Sequence, residues 1–582
     1  MNIRVWVATI FTMLAAVTVP VNARPPESPA DLILNHAQIR TPTGWVEALA
    51  IRQGIIVAVG DDAALEGYRG KATRVLDLHG ETVLPGLHDL HVHPMYAGST
   101  ARQCRIPQGS GLGETQALLK QCATRAGQDQ WVVGGQWDAP ALGRIPDRRD
   151  LDEVSAGHPV YLEDTSGHSV WVNSKALALS GVTRSTANPP GGIIERDSSG
   201  EPTGILRESA TALVSEHIPK PTVEELRSAL KSSLDAMLSF GITSYTEAAV
   251  GFVSGPDREL EAYAQLADAG EIRQRVVLCI TWSPNDPDSE RAIEMRNFYA
   301  RSNIAPKCVK IFLDGVPTDS HTAAMLGPYA QPIPGRNDRA ARYGLLLVKQ
   351  DVLNAAVTRF DRMGLTVKFH AAGDAAVRAG LDAIAAARKA NGFSSQMHNV
   401  GHCTFVDPAD IARARSIGAT FEVSPYLWGP TPINTAITAA VGPVVIRRVW
   451  PVREMLAAGA LVVPGSDWSV VPSVNPWPAI ETLVTRRSPE GGPESFGGDE
   501  SISLSEAINL FTDNASRQEG MADRVGRIDV GMLADVIVLD RNPYRIPVSN
   551  VHGTKVLMSF IGGELAYAAG DSTVRSPDAG SR

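Results

Sequence analysis

The sequence predicts an α/β protein: a (β/α)₈ barrel of the TIM type, with a small β-sandwich domain built from both chain termini and an insertion after barrel strand 1. Three observations favour this fold. The chain has 582 residues, which is too long for one ordinary domain. Its middle alternates eight apolar, strand-like runs with amphipathic helical stretches. Both ends consist of short apolar segments separated by turn residues, which is typical of small β-sheets.

The N-terminus is predicted to be a secretory signal peptide over residues 1–23. Arg4 precedes an apolar run that reaches Val19, and "VNA" then forms a small-x-Ala cleavage pattern that ends at Ala23. The run is shorter than the roughly 18 residues that a spanning helix needs. We therefore expect an exported protein, periplasmic or secreted, with no stable membrane anchor after processing.

The β-rich ends of the mature chain predict one composite sandwich domain over residues 31–82 and 520–570. At the N-terminal end the segments are "ADLILNHAQIRT", "VEALAIRQGIIVAVG" and "ATRVLDLHGETVLPGLHD". Near the C-terminus, "VGRIDVGMLADVIVLDRNP" and "VLMSFIGGELAY" again show short apolar segments separated by turn residues. Two such flanks around a long middle suggest that both termini contribute to a single small sheet domain.

The middle of the chain, residues 83–519, predicts the barrel. Between most strand-like runs lie amphipathic stretches such as "TVEELRSALKSSLDAMLSF". The gap between the first two runs is far longer than a crossover needs, so about 100–220 is an insertion on the C-terminal face, where it could roof the site. The eight strand-like runs are 83–93, 241–249, 275–281, 308–315, 366–374, 398–405, 419–426 and 461–469.

The charge of the chain argues against a nucleic-acid-binding protein, and the positions of its cysteines predict which of them are buried thiols. The formal net charge is −9, and no basic patch suggests a nucleic-acid partner. Cys279, Cys308 and Cys403 lie in strand-like apolar runs and are expected to be buried thiols. Cys104 and Cys122 lie close together outside those runs. A disulfide between them is left open, because an oxidising compartment would permit it while the sequence does not show its geometry.

The stretch "GLHDLHVHP" (86–94) carries the first chemical signal. His91 and His93 alternate along a predicted strand, so both imidazoles point to one face and can reach one metal ion. His88 has the opposite parity and is expected to face away. Asp89 shares the face of His91 and is expected to support the site without binding the metal.

Four further residues occupy the places that a barrel site requires. Lys310, His370, His402 and Asp467 each lie in or just after a different strand-like run, and barrel active sites form at the C-terminal ends of strands. Singly, each histidine could be a hydrogen-bonded core residue, Asp467 could cap a turn, and Lys310 could reach solvent. Their joint occurrence favours a metal site, and a buried lysine is costly unless its charge is removed or compensated.

With these residues in place, the chain resembles the amidohydrolase superfamily. The motifs that narrow the resemblance are "SGHSVWVNSKAL", "GGIIERDSSGEPTGILRE", "KIFLDG", "HAAGDAAV", "GSDW" and "GRIDVGMLADVIVLDRNP". They are similar to those of the amidohydrolase-3 branch, which includes the N-substituted formamide deformylases. The resemblance extends over about residues 31–570.

The resemblance implies a site with two divalent metal ions, most often zinc. His91 and His93 would bind one ion. His370 and His402 would bind the other. Lys310, carboxylated by CO₂, would bridge the two ions as an anionic oxygen ligand, which removes the difficulty of a buried lysine charge.

The resemblance also implies a mechanism and a substrate class. Asp467 would contact the first metal and a metal-bridging hydroxide, take its proton and deliver it to the leaving nitrogen. Metal ions lower the pKa of bound water and polarise a carbonyl group. The expected reaction is hydrolysis of a C–N amide-type bond in a small N-acyl or N-formyl substrate.

Three alternatives remain beside this hypothesis. An aminohydrolase (deaminase) of a heterocycle belongs to the same superfamily, although such enzymes usually use one metal and generally lack the lysine at the Lys310 position. A lactone or ester hydrolase would use the same nucleophile. A catalytically inactive ligand-binding barrel is disfavoured by the complete ligand set. Substrate identity, the number and kind of metals and the oligomeric state, a homodimer included, stay open.

Two other histidines are candidates for substrate contacts. His168 belongs to the insertion and could line the pocket, and His321 follows barrel strand four on a loop. His168 could equally form a structural hydrogen bond. His321 could equally be a solvent-exposed loop residue. The role of Glu247 in strand two is open. Strand seven, "FEVSPYLW", is expected to offer no ligand.

Overall fold

The computed structural model describes residues 28–570 except 108, 128–129, 138, 145, 165–168, 190–191, 319–320, 332–337, 429–431, 490 and 492–493. The predicted signal peptide lies outside the described residues. Among the residues that are described, no helix is both long and apolar enough to cross a membrane.

The described chain opens with short strands that form two sheets. Strands β5, β4, β1 and β6 make a four-stranded sheet in that order, and β3, β2 and β7 form one side of a second sheet. A short helix, α1 (Asp62–Leu65), follows β5. The strands are β1 (Leu32–Asn35), β2 (Gln38–Thr41), β3 (Gly44–Val46), β4 (Ala48–Arg52), β5 (Ile55–Gly60), β6 (Arg74–Asp77) and β7 (Thr82–Pro85).

The first barrel strand is β8 (Leu87–Val92). The sequence predicted one strand over 83–93, and this was wrong: β7 belongs to the second sheet, β8 to the barrel, and Gly86 separates them. A Cβ atom at Gly86 would lie 2.1 Å from Thr243 Oγ1. The apolar run is continuous because both strands are buried, so hydrophobicity does not mark the break.

A folded insertion follows β8, as predicted. Its sheet has the order β13-β14-β12-β11-β10-β9, with apolar cores of its own around Trp171 and Tyr161. Its strands are β9 (Cys104–Arg105), β10 (Val132–Trp137), β11 (Val160–Asp164), β12 (Ser169–Val172), β13 (Gly192–Arg196) and β14 (Pro202–Glu208). The helices are α2 (Pro94–Thr100), α3 (Leu112–Arg125), α4 (Ala139–Leu142), α5 (Arg148–Asp152), α6 (Ser174–Leu179) and α7 (Ala212–Ser215).

The predicted (β/α)₈ barrel is confirmed. All its neighbouring strand pairs are parallel, in the order of the chain. The two ends of the sheet meet where the Asp467 amide donates to the His91 carbonyl at 2.7 Å. Strands two to eight are β15 (Ile242–Val250), β16 (Arg275–Thr281), β17 (Ile304–Phe312), β18 (Thr366–Ala371), β19 (Asn399–His402), β20 (Thr420–Val423) and β21 (Leu461–Pro464).

Helices surround the barrel because their apolar faces pack on the strands. The first begins at a capping box, in which Thr222 and Glu225 satisfy each other's backbone amides. The helices are α8 (Val223–Ser239), α9 (Pro256–Asp268), α10 (Pro287–Met295), α11 (Arg339–Tyr343), α12 (Gln350–Arg362), α13 (Asp374–Asn391), α14 (Pro408–Ala414), α15 (Pro432–Val445), α16 (Val452–Ala457), α17 (Pro476–Thr485), α18 (Leu504–Asn509) and α19 (Ala515–Gln518).

The C-terminal strands return to the N-terminal sheets. They are β22 (Val536–Leu539), β23 (Val556–Ile561) and β24 (Glu564–Ala568), and they complete a sheet of order β24-β23-β22-β7-β2-β3. One apolar cluster joins both sheets, with Leu34 and Ile56 from one and Val83 and Val538 from the other. Both termini thus build one pair of packed sheets, and the boundaries 31–82 and 520–570 stay a prediction.

The cysteines differ from expectation at two positions. Cys279 and Cys308 were expected to be thiols, but they form a disulfide across β16 and β17 with Cα atoms 4.1 Å apart. The register of these strands sets the two residues side by side. Cys104 and Cys122 form a second disulfide, and Cys403 is a free, buried thiol. The Cys279–Cys308 pairing depends on the register of two strands, which the sequence alone does not reveal.

Candidate metal centre

Six predicted site residues lie at one end of the barrel, where the strands terminate. Asp467 is at the centre of one group, with its Oδ1 atom 3.3 Å from His93 Nε2 and 3.6 Å from His91 Nε2. The donor atoms of His91, His402 and Asp467 all lie within 4.8 Å of one another. Three different strands therefore deliver nitrogen and oxygen donors to one point.

The other two predicted ligands adjoin this group. Lys310 Nζ lies 3.1 Å from His91 Nε2. The His370 ring is 4.6 Å, between centroids, from the His402 ring. The structure thus brings together all six residues that the sequence proposed as ligands, including those from strands that are far apart in the chain.

Each of the four histidines also meets a side-chain oxygen through its Nδ1 atom. Where the oxygen belongs to a carboxylate that accepts a hydrogen bond from Nδ1–H, as for His91 and His370, the contact fixes the tautomer and the ring orientation and leaves the Nε2 lone pair for a metal ion. The four pairs are His91 with Glu422, His93 with Glu247 at 3.4 Å, His370 with Asp314 at 3.1 Å, and His402 with Ser424 at 3.1 Å.

Sequence reasoning missed Glu422 and Lys368. Both are fully buried, Glu422 on β20 and Lys368 on β18, and the Glu422 carboxylate binds the Lys368 ammonium as well as His91. Strand seven was expected to offer no ligand, and its contribution is this carboxylate behind a ligand. A charged residue inside an apolar strand was the available signal, the same one that singled out Lys310.

Asp314 and Asp89 hold the backbone around the cluster. Asp314 follows β17 and accepts hydrogen bonds from the amides of Ala324, Ala372 and Gly373 at 2.9, 3.0 and 2.9 Å. Sequence reasoning missed it, although an aspartate directly after a buried strand in "KIFLDG" was a usable signal.

Asp89 joins two segments of backbone beside the cluster, and its predicted role in supporting the metal site stays a prediction. Its Oδ1 atom accepts from the amides of His91 at 3.1 Å and Ser466 at 3.0 Å, so it ties β8 to the loop that carries Asp467. His88 points elsewhere, with its Nδ1 atom 2.8 Å from Glu519 Oε2. The four polar residues of the motif therefore have different surroundings.

Burial governs the protonation of the cluster. It lowers the pKa of His402 and, together with the Lys310 charge, that of His91, which favours the neutral imidazoles that bind metals. Burial and the neighbouring Lys368 lower the pKa of Lys310 to about 7. Burial opposes ionisation of Asp467, but its interactions with the His402 and His93 rings hold its pKa below the ordinary value. Burial also opposes the charge of His93, but the carboxylates of Asp467 and Glu247 raise its pKa to about 9.

An aromatic wall adjoins His93. The Phe252 side chain is 57% exposed, and its ring lies 6.2 Å from the His93 ring and 5.3 Å from Tyr96. Its loop is held in place because the buried Glu259 carboxylate accepts three backbone hydrogen bonds at 2.7 Å, from Gly251, Val253 and Ser254. The exposed Phe252 ring, on a loop that these hydrogen bonds hold in place, offers a surface for an apolar part of a substrate.

Of the two histidines proposed for substrate contacts, the structure describes only His321. His168 lies outside the described residues. His321 is buried, its Nδ1–H donates to the Ala341 carbonyl at 3.1 Å, and its ring stacks on Tyr329 at 4.1 Å. These contacts explain its position by packing, and a role in substrate binding stays a prediction.

The donor set fits a divalent metal ion. Imidazole and carboxylate donors suit zinc and related transition metals, and the backing contacts at Nδ1 are those that metal-binding histidines usually make. The lowered pKa values of His91 and His402 and the ionised carboxylate of Asp467 give the protonation states that such an ion requires.

Several known proteins are similar to this chain along most of its length. The sequence pattern of the amidohydrolase family matches residues 74–567. The protein LONG AFTER FAR-RED 3 of Arabidopsis thaliana is 28% identical, covering 92% of both chains. The N-substituted formamide deformylase of Arthrobacter pascens is 27% identical over 92% of this chain and 98% of its own.

A solved structure shares the fold. An uncharacterised metal-dependent hydrolase from Pyrococcus furiosus superimposes with a TM-score of 0.70 at 23% identity, covering 88% of this chain and all of that chain. At this identity the likeness concerns the fold alone.

Proposed function

Because this chain belongs to the amidohydrolase family, a family of hydrolases that act on C–N bonds, we propose that it hydrolyses the amide-type bond of a small N-acyl or N-formyl compound in a metal-dependent reaction. The observation that carries the proposal is the convergence of four backed histidines, a lysine and an aspartate at the end of the barrel. Similarity to an N-substituted formamide deformylase along nearly its whole length supports the N-acyl or N-formyl class.

The proposed ligands would hold two divalent ions, with zinc the metal that best suits the donors. His91 and His93 would bind one ion, and His370 and His402 would bind the other. Lys310, once carboxylated, would supply an anionic oxygen donor to both. Its neutral amine attacks CO₂, an N–C bond forms and one proton is released, which turns a buried lysine into an anionic oxygen donor beside His91.

Asp467 is the proposed proton carrier. Divalent metal ions lower the pKa of water and polarise a carbonyl oxygen, and this is the chemistry that they supply when bound. The ionised Asp467 carboxylate would accept a proton from the attacking water and donate it to the leaving nitrogen. Phe252 shields one side of the site and packs on the apolar substituent of the substrate.

Metal analysis tests the ligand assignment. We expect about two divalent ions per purified chain, and at most one in Lys310→Ala together with a large loss of activity, because the bridging oxygens are lost. The exposed Lys349→Ala variant serves as the control and keeps both ions. The assignment is wrong if the wild type holds a single tight ion and Lys310→Ala remains fully active.

A substrate panel tests the reaction class. N-formyl amines, N-acyl amino acids and anilides are compared with lactones and amino-heterocycles, and we expect turnover of the amides. Release of ammonia from heterocycles alone would identify a deaminase, and turnover of lactones alone would identify an esterase-type enzyme. Either result contradicts the proposed C–N amide hydrolysis.

A further inference from the structure

Two short apolar segments protrude from the end of the barrel that carries the metal cluster. One is 345–347, three consecutive leucines, of which Leu345 and Leu347 are 52% and 54% exposed. The other is 444–445, at the end of α15 after the helix is broken at Gly442, where Val444 is 80% exposed. They lie on the connections that leave β17 and β20 at their C-terminal ends, so they share the face on which the predicted ligands converge.

A third segment, 325–330, joins these two apolar segments. On one side the Met325 amide donates to the Tyr343 carbonyl at 2.7 Å, and the Tyr329 amide donates to the Arg342 carbonyl at 2.8 Å. On the other side the Ala330 amide donates to the Ala440 carbonyl at 2.8 Å. The chain before each apolar segment therefore bonds to the same central segment, 325–330, and the partly exposed Leu326 lies in that central segment.

Two glycines anchor the protruding segments. Gly344 has φ +73°, and a Cβ atom there would lie 1.8 Å from the Ala323 carbonyl oxygen. Gly442 has φ +78°, and a Cβ atom there would lie 2.8 Å from Ala330 Cβ. Each glycine lets the backbone approach the chain at 323–330 closely, and the exposed side chains begin at Leu345 and Val444. The protrusions are thus fixed by the fold.

Basic residues flank the apolar segments. Arg339, Arg342 and Arg447 are exposed, and among the described contacts none of them pairs with a carboxylate. The nearby Asp338 caps α11 by accepting from the Ala341 amide at 3.0 Å. These three arginines lie on the same connections as the apolar segments, in a chain whose net charge is −9.

We propose that this apolar-basic face (326, 345–347 and 444–445 with Arg339, Arg342 and Arg447) docks peripherally on an anionic lipid surface. Exposed apolar side chains that enter the interface, flanked by arginines that meet anionic headgroups, are what interfacial binding requires. A second copy of the chain fits less well, because a two-fold contact through this face would bring six arginines together. Docking brings the metal centre to the lipid surface.

Vesicle sedimentation tests the proposal. The purified protein is mixed with vesicles of phosphatidylglycerol or of phosphatidylcholine, and we expect it to sediment with the first and far less with the second. Val444→Asp combined with Leu346→Asp lowers partitioning by at least about tenfold. Arg342→Ala and Arg447→Ala each lower it by about fivefold and weaken its dependence on salt.

Val530→Asp is the matched control, because Val530 is 57% exposed and lies on the loop before β22, outside this face. All variants carry the same N-terminus, so any contribution of the apolar N-terminal run cancels. The proposal is overturned if the wild type ignores phosphatidylglycerol vesicles, or if Val530→Asp loses as much binding as the apolar-face variant. A dimer that dissociates in Val444→Asp, with no vesicle binding by the wild type, would assign the face to a second copy.

Discussion

Glu422 shows how a single buried side chain can organise a metal site. A buried carboxylate is costly unless both its oxygens are satisfied, and here one oxygen faces His91 Nδ1 while the other binds the Lys368 ammonium. The pair links β20, β8 and β18 behind the cluster. Its position suggests that Glu422 sets the orientation and basicity of His91.

We expect Glu422→Gln to lower metal affinity by about 10- to 100-fold, since the contact behind a ligand histidine loses its charge. Metal titration of the apo-protein measures this effect. Glu290→Gln is the control, because Glu290 pairs with Arg359 on the helices outside the barrel. Equal metal affinity in Glu422→Gln and the wild type would show that Glu422 has no such role.

Phe252 offers a second test at a single position. We expect Phe252→Ala to raise KM for substrates with an apolar substituent by about 2- to 12-fold, the equivalent of one aromatic contact, and to leave kcat nearly unchanged. The matched control is Phe393→Ala, because Phe393 is 73% exposed and precedes β19 at the other end of the barrel. An unchanged KM, or an equal effect in the control, contradicts the aromatic wall.

The strands explain why some residues were predictable and others were not. Lys310, His370 and His402 stand out because polar residues are rare in apolar runs, and strand ends of a barrel share one face. The same rule applies to Glu422 and Lys368, but their pairing across β19 depends on the order and the register of three strands. The break at Gly86 was invisible because two buried strands follow each other directly.

Strand register also makes a prediction about the cysteines. If both disulfides form, the denatured and unreduced protein should show one reactive thiol, Cys403, and five after reduction. Thiol titration in denaturant measures the number directly. Cys403→Ser should then show none before reduction, whereas three thiols in the wild type would mean that one of the disulfides is absent.

The whole molecule depends on contacts between distant parts of the chain. The two termini share a sheet, and the barrel closes where residues after β21 bond to β8. Arg275 at the start of β16 binds Asp535, just before β22, which joins the barrel to the terminal strands. Two disulfides in a chain with a predicted signal peptide support the proposal that the protein works after export.

Export has its own test. The proposal expects the mature protein in the periplasm or medium with Arg24 at its N-terminus, because cleavage follows Ala23. Cell fractionation and N-terminal sequencing measure this. Ala23→Arg should block cleavage while Val530→Arg should not, and an intact N-terminus on cytoplasmic wild-type protein would contradict export.

The sequence by itself determined the barrel, the folded insertion and the six candidate ligands. These features follow from local patterns: strand and helix periodicity, and polar residues at the ends of apolar runs. Only the tertiary structure decided which oxygen lies behind each histidine, that Cys279 meets Cys308, and that segment 325–330 bonds to the chain before both apolar segments. Such pairings depend on strand register and on the approach of segments that are distant in the chain. Local sequence patterns do not show which distant segments meet.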